Sequence, residues 1–141
     1  MLLGVRMNKA LCIEAEYQHQ KLVIEFMEFE DRIGSANLRL EFKSNAVNQQ
    51  LTYIRSASWV AYEAIEQFVK LLGKSNLSTL NNLSGCPILE IQKVKNDYWL
   101  NINPHDERES LVAEEMKLSI LLGPLFPQKL YEAINEFPKW W

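Results

Sequence analysis

Few side chains in this chain are of types that do chemistry. Two cysteines, Cys12 and Cys86, and two histidines, His19 and His105, hold enough donor atoms for one zinc ion. Structural zinc takes four ligands, usually in closely spaced pairs. The sequence has no Cys-x-x-Cys or His-x-x-x-His pair, so no metal site is expected. A Cys–His nucleophilic pair is possible in principle. No motif supports one, and both cysteines read as isolated buried thiols. Two are also too few for a disulfide framework. Glu28 and Glu30 alternate along a strand-like segment and would share a face. Carboxylate pairs can perform glycosidase-type acid–base work, but alternating charges at a strand end read better as a solvated rim. Gly34, Gly73 and Gly85 stand apart and read as turns or caps, not as a phosphate loop. No catalytic residue and no cofactor is therefore expected.

Binding chemistry is better represented. The chain carries Trp59, Trp99, Trp140 and Trp141, together with Tyr53, Tyr62 and Tyr98. Tyr98 and Trp99 are neighbours on a predicted strand, so they point to opposite sides. Trp140 and Trp141 would dock back onto the sheet or meet a partner, and a homodimer through them is one possibility. The formal net charge is -3 and the pI is about 5.5. A nucleic-acid binder needs a basic stripe to neutralise phosphates, so direct nucleic-acid binding is not expected. The acidic excess falls in residues 87–141, with runs at Asp106, Glu107 and Glu109 and at Glu114 and Glu115. Acidic clusters speed association with basic proteins, and tryptophan is enriched among interface hot spots. The candidate partner-binding residues are therefore Asp106, Glu107, Glu109, Glu114, Glu115 and Trp99, and the expected partner is a basic protein. The competing expectation is a small-molecule site or enzyme with a pocket between sheet and helix, His105, Asp106 and Cys86 being its first suspects.

The elements that must position these residues follow from length and periodicity. The 141 residues, 48% hydrophobic and 11% aromatic, are too apolar for a disordered chain and suit one domain over residues 1–141. Leu11, Ile13, Ala15 and Tyr17 alternate with polar residues and predict a half-buried strand. Lys21 to Glu30 predicts a second strand, apolar on both parities as if covered on two sides. Asp31 to Ser35 reads as a turn, and Leu38, Leu40 and Phe42 as a third strand. The segment from Ser44 to Lys74 reads either as one long helix or as a polar turn at 45–50, a strand at 51–57 and a helix that Ser58 caps, running to about Leu72. The second reading is favoured, with Gly73 as C-cap. Residues 74–87 read as a long Ser/Asn-rich loop, with a helical turn suggested by Leu77, Leu80 and Leu83. Ile88 to Lys95 and Tyr98 to Asn103 predict a hairpin about Asn96-Asp97. Leu111 to Leu122 predicts a last strand, and Gln128 to Phe137 a short amphipathic helix. No internal repeat is apparent.

The expected class is α+β: a mainly antiparallel, curved sheet of about six to seven strands, one longer central helix and a short C-terminal helix. No apolar run is long enough to cross a membrane, and Met1 to Lys9 does not read as a secretory leader, so a cytosolic protein is expected. In size, acidity, lack of catalytic motifs and the plan of a meander followed by the helix Ala61-Tyr62-Glu63-Ala64-Ile65-Glu66-Gln67-Phe68, the chain resembles the small cytosolic immunity proteins of bacterial toxins, including those of contact-dependent growth-inhibition systems. The resemblance implies a stoichiometric inhibitor that neutralises a cognate toxin, often a nuclease with a basic cleft. It carries over no individual residue.

Overall fold

The computed structural model describes residues 11–46, 48–102 and 118–137. Its first sheet is a meander of β1 (Leu11–Tyr17), β2 (Gln20–Glu30), β3 (Ser35–Ala46) and β4 (Gln49–Ala61). Helix α1 (Tyr62–Leu71) follows. The second sheet repeats the plan with β5 (Leu77–Asn81), β6 (Pro87–Val94), β7 (Asp97–Ile102) and β8 (Leu118–Leu121), and helix α2 (Phe126–Glu136) follows it. Every strand pairing is antiparallel. The α+β class is as expected. The strands, however, form two four-stranded sheets rather than one, and the two helices are of nearly equal length.

The helices join the halves by exchange. Helix α1 packs mainly against β5, and α2 packs against β1. In α1, Ile65, Phe68 and Val69 form the buried stripe, with Glu63 in the first turn and Lys70 in the last, each placed to complement the helix dipole. Gly73 follows at φ 76, the left-handed position that closes a helix. In α2, Phe126, Leu130 and Ile134 are buried four residues apart, and Pro127 sits in the first turn where its missing N–H costs nothing. Buried side chains of both sheets and both helices form one cluster. Across the first sheet its rows run Ala15–Leu22–Phe42 and Ile13–Ile24–Leu40. In the second, Ser78, Ile91 and Leu100 form a matching row.

Three expectations are corrected, each for a physical reason. Of the apolar residues of β2, Val23 lies on the outer side opposite Glu14 and Glu41, whereas Phe29 changes parity because of a bulge between Phe26 and Glu28. It brings Phe26 and Phe29 to one side, where their rings stack at 5.9 Å. Coverage on two faces is not the cause. Ser58 does not cap a helix. It lies in β4 opposite Leu38, accepts a hydrogen bond from Arg55 Nε at 2.9 Å, and the strand continues to Ala61. Pairing of Val60 with Ala36, both fully buried, outweighs the local helix signal. Residues 77–81, expected in a loop, form β5. Ser78 and Leu80 point inward while Leu77 is 45% exposed, so the three-residue leucine spacing is not helical.

Candidate protein-binding face

The two helices lie on the inner sides of the sheets, so the outer side of the second sheet has no helix over it among the described residues. Its side chains fall in two rows. One row crosses all four strands as Leu77, Gln92, Trp99 and Leu121. The adjacent row is Thr79, Glu90, Asn101 and Ser119. Strand alternation accounts for both: Leu100 and Ile102 turn into the core, so Trp99 and Asn101 turn out. Tyr98 packs against the core, with Lys93 Nζ 5.6 Å from its ring centre. Tyr98 and Trp99 therefore divide between the two sides as the spacing predicted.

The polar row is held rigid by its own bonds. Asn101 Nδ2 donates to Glu90 Oε2 at 2.8 Å and to Gln92 Oε1 at 3.0 Å, while Ser119 Oγ donates to Asn101 Oδ1 at 2.8 Å. This chain of four side chains ties β6, β7 and β8 together beside Trp99. The tryptophan is half-buried and is flanked by Leu121, which is 50% exposed. An aromatic ring set beside a hydrogen-bonded row and an exposed leucine is a hot-spot arrangement, with little side-chain entropy left to lose on binding.

Among the described residues β8 is also the edge of its sheet. The N–H of Leu122 donates to the C=O of Tyr98 at 2.9 Å. Antiparallel alternation then turns the backbone groups of Leu118 and Ile120 toward β7, and those of Ser119 and Leu121 away from it. Gln20 closes one end of this edge. Its Nε2 donates to the C=O of Leu121 at 2.8 Å, and its Oε1 accepts from the N–H of Gly123 at 2.8 Å. The buried amide side chain thus makes the two bonds that a peptide group of a neighbouring strand would make. Gln20 belongs to the inward parity of Leu22 and Ile24, and a polar residue at an apolar parity was the signal available in the sequence.

Beside the rest of the edge lies an open groove of about 710 Å³. It is bounded by β8, by the cross-strand row Gln20, Ser44 and Leu51, and by the hairpin tip that carries Asn48, Gln49 and Gln50. Except for His19, its described lining has no ionisable side chain. A second cavity of about 400 Å³ lies between the end of α1 and the start of α2, lined by Tyr98, Tyr131, Lys74 and Gln128 among others. Neither cavity is lined by Cys86.

The remaining sequence candidates are distributed as follows. Trp99 is the one partner-binding candidate within the described residues. Asp106, Glu107, Glu109, Glu114 and Glu115 lie outside them, as do His105, Trp140 and Trp141. Glu28 and Glu30 do share a face, but each has its own partner. Asn37 Nδ2 donates to Glu28 at 3.0 Å, and Arg32 Nε donates to Glu30 at 3.1 Å. The Arg32 hydrogen bond, then its charge, hold the Glu30 carboxyl below the usual range, which is opposite to what a general acid needs. Cys12 lies on the outer side of the first sheet, opposite Glu25. Burial, followed by the charges of Glu25 and Glu14, pushes its thiol up, which disfavours the nucleophilic thiolate. Among the described residues, no group of three or more His, Cys, Asp or Glu is placed to hold a metal ion, and no helix is long and apolar enough to cross a membrane.

Comparison of the chain with protein-family models, with curated proteins and with solved structures gives no match. The functional reading therefore rests on the geometry of this face.

Proposed function

We propose that this protein is a non-enzymatic protein-binding module, in its most specific form a cytosolic immunity protein that neutralises a cognate toxin. The observation that carries the reading is Trp99. A large aromatic is held, on a sheet face that no described helix covers, between Gln92 and exposed Leu121 and beside a Glu90–Asn101–Ser119 row. A solvated face has no use for that arrangement, whereas a protein interface has an apolar centre and a polar rim. Glu90 and Asp97 give the face carboxylates for a basic partner. The proposed acidic contacts Asp106, Glu107, Glu109, Glu114 and Glu115 belong to the chain that joins β7 to β8, the two strands that carry Trp99 and Leu121.

The test is co-expression with each protein encoded by the flanking genes, followed by purification and calorimetry of any complex. One flanking protein should form a stoichiometric complex. Trp99→Ala should weaken it by about thirtyfold, the effect of a hot-spot residue. Charge reversal at Asp106, Glu107 and Glu109 together should slow association at low salt. If none of the flanking proteins forms a complex, the immunity reading fails. A complex indifferent to Trp99→Ala would remove this face from the interface.

A further inference from the structure

We propose that the free edge of β8 takes an extended, uncharged segment of a protein partner as a further strand of the second sheet. The inference rests on the protein-binding reading and adds to it the chemistry of what is bound.

Four observations support it. First, among the described residues only the Gln20 side chain pairs with the outward side of this edge. The N–H and C=O of Ser119 and the N–H of Leu121 point away from β7, and a strand's groups on that side are met by an added strand. Second, the molecule already uses this chemistry one residue further along, where the Gln20 amide bonds Leu121 C=O and Gly123 N–H as a strand would. Third, β8, though only four residues long, has none of the side-chain or bulge devices that blunt an edge. It reads Leu-Ser-Ile-Leu, without charge, proline or bulge. The edge strand of the first sheet, β4, carries Arg55 and a bulge opposite Leu38 and Leu40. Fourth, the groove beside the edge is roomy and, His19 apart, is lined by amides, hydroxyls and aliphatic groups, so a charged segment would gain no ion pair with Asp, Glu, Lys or Arg there.

The same geometry disfavours a second copy of this chain. Pairing of β8 with its own copy about Ile120 would set Ser119 opposite the copy's Leu121, whose C=O is already taken by Gln20. The hairpin tip at Asn48 to Leu51 stands across the groove, where the body of a second copy would have to pass. The segment should place alternate side chains toward Leu51 and Leu118 on one side and toward Ser119 and Leu121 on the other.

The probe is an acetylated, amidated Thr-Val-Thr-Val-Thr peptide at millimolar concentration, added to the isotopically labelled full chain and followed by amide NMR. The Ser119 and Leu121 amides should shift, and the same peptide N-methylated at its valines should bind at least tenfold more weakly. Ser119→Pro removes the outward N–H while leaving the β7 ladder intact and should abolish the shifts. Ser119→Ala keeps that N–H and should retain them. No shift at these amides, or equal binding of the N-methylated peptide, overturns the proposal. So does sedimentation as a dimer that Ser119→Pro dissociates, because the edge would then be filled by a second copy. The peptide contains nothing of the cognate partner. Its failure leaves the Trp99 test standing, and failure of the flanking proteins to bind leaves the peptide test standing.

Discussion

The two halves share one plan, a four-strand meander followed by a helix, yet their outer faces differ. The first sheet is tiled with charge: Glu14 pairs with Lys21 at 3.4 Å, and Arg39 and Lys43 both approach Glu41 at 3.9 Å. Such surface pairs, Glu41 and Arg39 being half-buried, add little stability. Their effect is to keep the face wet and unattractive to other proteins. The second sheet sets Trp99, Leu77 and Leu121 in the equivalent place, beside a neutral-rich hydrogen-bonded row. With topology held constant, the difference isolates surface chemistry. The first face sets its apolar groups, Ile54 at 47% exposed opposite Glu41 and half-buried Trp59 opposite Asn37, among ion pairs, whereas the second sets Trp99 among amides, hydroxyls and leucines.

The edges repeat the contrast and show how the halves lock. The hairpin between β5 and β6 docks on the last strand of the first half, where Leu83 N–H donates to Trp59 C=O at 2.8 Å. The hairpin between β1 and β2 docks on the last strand of the second half through the Gln20 amide. Each half thus caps the other just ahead of its helix, and each helix covers the other half's first strand. Such exchange predicts that neither half is stable alone. Phe68→Ala in α1 and Phe126→Ala in α2 remove fully buried rings, and each should cost about 3–5 kcal/mol. Chemical unfolding followed by tryptophan fluorescence and by far-UV circular dichroism should give one coincident transition for either variant. Two separated transitions would show that the halves are independent and would break the comparison.

The Gln20 clip is the next largest effect. Gln20→Ala removes two part-buried hydrogen bonds at once, from Leu121 C=O and Gly123 N–H, and each should cost about 1 kcal/mol. Gln20→Glu separates the two bonds, since a carboxylate accepts from Gly123 N–H but cannot donate to Leu121 C=O. Amide exchange at Gly123 should therefore accelerate strongly in Gln20→Ala and less in Gln20→Glu. Equal protection in all three proteins would mean that the halves are held by packing alone. A smaller effect tests the helix ends. Gly73→Ala meets no atom within 4 Å but must hold φ 76, so it should cost about 1 kcal/mol through backbone strain alone.

Much of this architecture was legible in the sequence, and the exceptions have definite causes. The alternation in β1, the Asn96 hairpin and the α2 stripe were readable because one face is buried and the other wet, which writes a period into the residues. β5 was not, because its Ser and Asn residues are common in loops and only Ser78 and Leu80 turn inward. Phe26 and Phe29 misled because one bulge converts period two into period three. The repeat was hidden because the first meander has strands of 7, 11, 12 and 13 residues and the second of 5, 8, 6 and 4. Of the site, Trp99 was legible as an outward aromatic. The Gln20 clip joins residues 101 and 103 apart in sequence, and no local pattern reports a pairing at that distance.

The smallest effect tests the claim that charge on the first sheet serves solvation. Arg32, its side chain 88% exposed, grips Glu30 through two bonds at 3.1 and 3.4 Å beside the β2–β3 turn. The grip holds the Glu30 carboxyl below its ordinary value in the folded chain. A lowered folded value means that the contribution to stability is present above the unfolded glutamate value of about 4.3 and is lost as pH falls through the folded one. Because the pair is exposed, salt should screen it. NMR titration of the Glu30 carboxyl should therefore show a lowered midpoint at low ionic strength. Both 1 M salt and Arg32→Ala should move it back toward the ordinary range, with the unfolding midpoint scarcely changed. A large loss of stability in Arg32→Ala would show that surface charge helps hold the first sheet together, and the contrast between a solvated face and a contact face would lose its energetic basis.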